Sequence, residues 1–185
     1  CRNYGEWEKE KAYNFLFQLG YQLIRDGYHI STGFVEGVGP QVINGALNAI
    51  NEFNLNIEKT ITIKPLPLID GSDKYMIESS KKMFQKNMIE TAGIIIFLFG
   101  NNYYQGNLEI SRGVLHDFQR AKEQHKYLIP VGSTGYCAEY ILSELENDIE
   151  NYLYLKPYLK KLRSEKTPQR LVDLVITIIK NIKSM

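Results

Sequence analysis

Twice in this chain a strand runs into a glycine-containing turn and out into a helix, a pattern that confines it to parallel α/β architectures. The first instance spans Tyr28 to Leu47, reading YHIST, GFVEGVGP and QVINGAL. Gly33, Gly37 and Gly39 let the backbone come close to a ligand, with Phe34 and Val38 in the same turn. Pro40 fits the first helical turn, where its missing N–H costs nothing. The free N–H groups and positive dipole end of such a helix attract phosphate. In the second instance, YLIPVG (Tyr127 to Gly132) is a strand and STGYCAEYIL a turn opening a helix. Two such turns facing one crevice point to a nucleotide-binding domain.

The apolar run GIIIFLFG carries no polar break and predicts a central parallel strand buried on both faces. KTITIKP (Lys59 to Pro65) alternates and is β-branched, so it predicts another strand. Helices are expected from Trp7 towards a stop at Gly27, and over Pro40–Glu52, Lys74–Glu90, Leu108–Glu123, Tyr136–Asn147, Tyr152–Arg163 and Pro168–Ile182. PLPLIDGSD and NNYYQGN are expected loops. Alternating strands and helices predict one doubly wound parallel sheet with helices on both faces, whose ligands bind at the carboxyl ends of the strands.

The 185 residues, 44% hydrophobic and 23% charged, suit a single domain with a full core. A net charge of +1 provides no global field for nucleic acid or anionic lipid. The basic stretch Lys156 to Lys166 also holds Glu165 and reads as a solvated helix face. Two cysteines, Cys1 and Cys137, form neither a paired framework nor a zinc spacing, and no apolar run approaches the roughly 20 residues of a membrane span. A reducing, cytoplasmic setting is the expectation, with no metal, no nucleic acid and no membrane partner.

Several residues are candidates for chemistry, each with a plainer role beside it. The first turn, G-x-x-x-G-x-G from Gly33, is neither a strict Rossmann fingerprint nor a P-loop, and serves equally as a tight connection. Gly132, Ser133, Thr134 and Gly135 supply phosphate-suited donors in a concave nest, or an ordinary N-cap. Asn101 and Asn102, leaving the buried strand, suit a base, ribose or phosphate, or simply a turn. Asp117 on the following helix suits a ribose diol, or is a solvated acid; Arg112 and His116 on that helix read as surface. Lys81, Lys82 and Lys86 offer charge to a diphosphate, or form a helix face balanced by Glu78 and Glu90. Cys137 reads as a small buried residue rather than an activated thiol. No Ser-His-Asp or Cys-His arrangement is apparent.

Together the segments YGEWEKEKA, ISTGFVEGVGPQVINGAL, MIETAGIIIFLFGN and GVLHDFQRAKEQHKYLIPVGSTGYCAE resemble the SLOG superfamily. Within it, the chain resembles the C-terminal SLOG domain of Thoeris anti-phage effectors, over nearly the whole length from Tyr4 to Glu139. The resemblance implies a sensor that binds a cyclic ADP-ribose isomer made by a TIR-domain protein. It also implies a homo-oligomer, and an N-terminal sirtuin-like NADase domain upstream of residues 1–185, in keeping with a chain that does not begin with Met. Position by position, Gly33, Gly37 and Gly39 match the first turn of that family, Gly132 to Gly135 its second, and Asp117 the acid of a GVxxEF pattern. Gln85 and Asn102 stand where the family often has Arg and Lys against the diphosphate, which Lys82 or Lys86 would replace. The same superfamily contains phosphoribohydrolases with a PGGxGTxxE motif. VGSTGYCAE (Val131 to Glu139) keeps that spacing but only Gly132, Gly135 and Glu139 of its residues, leaving a nucleotide N-glycosidase as the alternative.

Overall fold

The computed structural model describes residues 3–33, 37–64 and 86–185. Phe34, Lys82, Gln85, the loop PLPLIDGSD and most of the helix expected from Lys74 lie outside the described residues.

Helix α1 (Lys9–Arg25) buries Ala12, Phe15, Leu16, Leu19, Leu23 and Ile24, the apolar stripe legible in its sequence, and Gly27 (φ 79°) turns the chain out of it. Strand β1 (Ile30–Thr32) follows, then α2 (Val38–Glu52), a short α3 (Ile57–Thr60) and β2 (Ile61–Ile63). Residues 86–91 are helical (α4). Next come β3 (Ile94–Phe97), β4 (Asn101–Tyr104), β5 (Asn107–Ile110), α5 (Arg112–Glu123), β6 (Tyr127–Pro130) and α6 (Tyr136–Asn147). A 3₁₀ turn at Gly132–Thr134 joins β6 to α6, and further 3₁₀ turns lead to α7 (Leu159–Ser164) and α8 (Pro168–Lys183).

The architecture is mixed α/β with small parallel sheets. β1 pairs with β2 and β3 with β6, both parallel, while β4 and β5 form an antiparallel pair. Among the described residues these are separate two-stranded units, not one continuous sheet. β3 also departs from the expected strand buried on both faces: Ile94, Ile95 and Ile96 are half-buried, and burial is complete only near Phe97 and Phe99. Its partner β6 is the deeper strand, with Leu128 and Ile129 sealed from solvent, as is Val131 just beyond it.

NNYYQGN is not a loop. It forms β4, a two-residue turn and the start of β5, with Asn101 opposite Ile110 and Tyr104 opposite Asn107. Gln105 (φ 50°) and Gly106 (φ 83°) are both left-handed, the conformation of a type I′ hairpin turn whose twist matches its strands. The hairpin occupies the start of the helix expected from Leu108. That helix instead begins after Ser111, whose side chain accepts the N–H of Val114 as an N-cap. Between Tyr152 and Arg163 a 3₁₀ segment, Leu153–Tyr158, precedes α7. Pro157 lacks the N–H that an α-helix interior needs there.

The close approach of α1 and α2 has a local cause. A Cβ on Gly20 of α1 would stand 2.1 Å from the carbonyl oxygen of Val42, and one on Gly45 of α2 would stand 1.9 Å from that of Phe17. Each helix therefore lays backbone against the other's glycine. Helix α8 contributes Leu171, Val172, Leu174, Val175, Ile176, Ile178, Ile179 and Ile182 to the same core. At roughly 1.5–3 kcal/mol gross per fully buried aliphatic side chain, it is one of the main anchors of the domain.

Candidate functional site

The end of β3 and the turn after β6 are built as one unit. Phe99 (φ 55°) and Gly100 (φ 94°) turn the chain sharply, and a left-handed aromatic residue is strained unless its surroundings hold it. Both of its backbone groups are held. Its N–H donates to Thr134 Oγ1 at 2.8 Å, and its carbonyl accepts the N–H of Ala138 at 3.0 Å. Thr134 Oγ1 in turn donates to the carbonyl of Val131 at 2.7 Å.

The second glycine turn is thus largely consumed by its own fold. The N–H groups of Thr134 and Gly135 donate to Val131 and Gly132, and Gly135, rather than Ser133 or Thr134, occupies the N-cap position of α6. A Cβ on Gly132 would come within 2.5 Å of Leu142, so this glycine serves helix packing. Ser133 keeps a buried hydroxyl without a partner, while its carbonyl accepts the indole N–H of Trp7 at 2.8 Å.

Residues 3–7 form a strap across these strand ends, a feature the sequence reading missed. The Asn101 side chain meets the backbone of Asn3 twice, accepting its N–H at 3.1 Å and donating to its carbonyl. Tyr4 stacks edge-on against Phe99, a Cβ on Gly5 would touch the ring of Tyr136, and Lys166 Nζ pairs with Glu6. Asn101, only 3% exposed, is therefore a staple for the strap. The adjacent Asn102 faces solvent.

At the first turn, Gly33 is buried behind β1, Gly37 (φ 94°) is the N-cap of α2, and Val38 and Gly39 open that helix. Lys86 is exposed and lies 3.7 Å from Glu90 on its own helix. Cys137 is buried; burial pushes its thiol up to about 11, and Sγ donates to the Ser111 carbonyl at 3.4 Å. Glu139 is exposed on α6.

Asp117 is the unusual acid. It is half-buried on α5 and its Oδ1 is sealed from solvent with no hydrogen-bond partner. Burial pushes its carboxyl up to about 7, against a weaker opposing pull from Arg120. One helical turn earlier, Gly113 borders a hollow of about 150 Å³ between the hairpin and α5, lined also by Asn102, Tyr104, Glu109, Ile110, Ser111 and Arg112. The Arg112 guanidinium lies 5.6 Å from the centre of the Tyr104 ring. Asn102 and Arg112 thus line one hollow, and Asp117 follows on the same helix as Arg112. The hairpin that makes the hollow was hidden from sequence reading, although its Gln-Gly pair was a signal for it.

Among the described residues no group of three or more His, Cys, Asp or Glu side chains is arranged to hold a metal, and no helix is long and apolar enough to cross a membrane. A family model for the Sir2- and TIR-associating SLOG proteins, STALD, matches residues 1–182. The chain belongs to the STALD family. Among curated relatives of this STALD chain, the NAD(+) hydrolase ThsA of Bacillus cereus strain MSX-D12 is 34% identical over 151 residues, covering 80% of this chain and 30% of that protein. NAD(+) hydrolase ThsA of Enterococcus faecium is 25% identical over 181 residues, 95% of this chain and 36% of that protein. NAD(+) hydrolase ThsA of Cytobacillus dafuensis is 29% identical over 150 residues, 80% and 30% respectively. The STALD chain spans about a third of the length of these relatives.

Proposed function

We propose that this domain is the signal sensor of an anti-phage effector. It binds a cyclic ADP-ribose isomer, made by a TIR-domain partner in the cytoplasm, and through that binding controls an NAD-hydrolysing activity. The observation that carries the reading is the partnerless, buried carboxylate oxygen of Asp117. Such a group is costly in an apoprotein and becomes favourable when a ligand brings donors, and the two hydroxyls of a ribose are donors of that kind. Membership of a family associated with TIR proteins, and relatives named as NAD(+) hydrolases, support the same biological setting.

In this reading β1–β2 and β3–β6 belong to one Rossmann-like, doubly wound layer, with both glycine turns at its carboxyl edge. The start of α2 at Gly37, Val38 and Gly39 receives a phosphate, with Gly33, Phe34, Lys82, Gln85 and Lys86 around it. Asn102 orients a ribose or base. The turn at Gly132–Gly135 and Asn101 contribute by setting the edge of the pocket. Ligand binding favours one arrangement of a homo-oligomer over another, because it binds one state better. The domain itself needs no cofactor and performs no chemistry. The exposed position of Glu139 supports binding over N-glycosidic cleavage.

Calorimetry of the chain against cyclic ADP-ribose isomers, ADP-ribose, NAD and AMP tests this, with each ligand checked afterwards for breakdown. Tight binding of one intact cyclic isomer, weakened by Asp117→Ala without loss of fold, is the expected result. Absence of binding to every cyclic isomer, or release of free base from AMP, refutes it.

A further inference from the structure

The hollow between the hairpin and α5 is lined by one cation, Arg112. Arg112 makes no ion pair among the described residues, and its packing partner is the face of Tyr104 at 5.6 Å. Stacking on an aromatic ring holds a guanidinium plane in one orientation while leaving its N–H edge free. The Asn102 amide lines the same hollow from β4, in register opposite Glu109 on β5. Arg112 is the only Lys or Arg among the seven lining residues, and Glu109 is the only acid. At about 150 Å³ the hollow is too small for a dinucleotide but suits one anionic group of a larger ligand.

We propose that this hollow is a phosphate subsite of the nucleotide site. Arg112 binds one phosphate of the ligand through its free guanidinium edge, Tyr104 fixes the orientation of that guanidinium, and Asn102 donates its amide N–H to the same group. This subsite rests on the sensor reading above. It adds a cation to the Lys82 and Lys86 of that reading. Planar, two-point recognition of phosphate is what distinguishes Arg from Lys, so a point charge at position 112 is an incomplete substitute.

The experiment uses the chain as it stands, with the cyclic ADP-ribose isomers and ADP-ribose as ligands and adenosine as the phosphate-free control, at low and high salt. Arg112→Ala should weaken binding of the phosphorylated ligands about 10- to 100-fold and flatten the salt dependence, while adenosine affinity stays the same. Arg112→Lys should recover only part of the loss, Tyr104→Ala should weaken the same ligands less than Arg112→Ala, and Glu109→Gln should tighten them by removing a like charge. Arg112 and Glu109 are exposed, so these variants fold, which circular dichroism verifies. If a nucleotide binds the parent and Arg112→Ala changes neither its affinity nor its salt dependence, or if adenosine is weakened equally, the subsite is wrong and the sensor reading survives. If no nucleotide binds the parent, the sensor reading and the subsite fall together.

Discussion

The hydroxyl of Thr134 accepts the N–H of Phe99 at 2.8 Å and donates to the carbonyl of Val131, so one oxygen joins the ends of β3 and β6. Phe99 has a left-handed backbone, and this bond is part of what holds it there. Thr134→Val keeps the shape but leaves a buried N–H and a buried carbonyl without this partner. It should lower stability by about 2–4 kcal/mol, whereas Thr134→Ser should cost under about 1.5 kcal/mol. Urea unfolding midpoints of the two variants check this. Equal losses in both would show that the two hydroxyl bonds contribute no more than the methyl contacts that serine lacks.

Helices α1 and α2 touch through Gly20 and Gly45, where an added Cβ would sit about as far from a backbone carbonyl oxygen as a hydrogen would. Backbone cannot swing aside as a side chain can. Gly20→Ala and Gly45→Ala should each destabilise by about 3 kcal/mol or more, although alanine is the better helix former. Gly93→Ala, where an added Cβ meets nothing within 4 Å, is the neutral control. Thermal melting followed by circular dichroism compares the three, and a melting temperature preserved in Gly45→Ala would contradict the close packing.

Asp117 makes stability depend on pH with a defined sign. Its folded value is raised to about 7 by burial, above the ordinary carboxylate range near 4 of the unfolded chain. Between these values the native state retains a proton that the unfolded state has lost. Stability attributable to this group is therefore full below about pH 4 and falls as pH rises to about 7, by an amount on the order of 2–4 kcal/mol. Asp117→Asn should remove that slope and be more stable than the parent at about pH 8. Denaturation at several pH values reads this directly, and parallel slopes in parent and variant would show that the carboxyl is not buried as described.

The same carboxyl should report on ligand binding. A ribose diol donates to the ionised form, so binding should lower the pKa and release a proton near neutral pH. Calorimetry of a bound cyclic ADP-ribose isomer in two buffers of different ionisation enthalpy measures that proton, and Asp117→Asn should abolish it. Proton uptake on binding would assign the protonated acid to the complex instead.

The glycosidase alternative makes an opposite claim about Glu139, which is exposed on α6. Prolonged incubation of the chain with AMP should leave the nucleotide intact. Release of adenine that is lost in Glu139→Gln would reverse the functional assignment.

How much was legible in advance follows from the range of the forces involved. The apolar stripe of α1, the stop at Gly27, the glycine-opened α2, the strand at β6 and the span of α6 are local periodicities and caps, and all could be read from neighbouring residues. So could family membership, because its motifs run along the chain. The hairpin was missed because Gln-Gly is a weaker turn signal than Asn-Gly and its strands are rich in Asn and Tyr. Four assignments depended on contacts that no local pattern states. Asn101 met Asn3 and became a staple, Thr134 met Phe99 and became a brace, and Arg112 met Tyr104 beside a hollow. Asp117 kept one carboxylate oxygen buried with no hydrogen-bond partner among the described residues. A sequence states which donors, acceptors and charges a chain possesses and which of them recur at helix or strand spacing. Whether a given one is already satisfied, or left open for a ligand, can be decided by groups more than a hundred residues away, and only the folded chain brings those together.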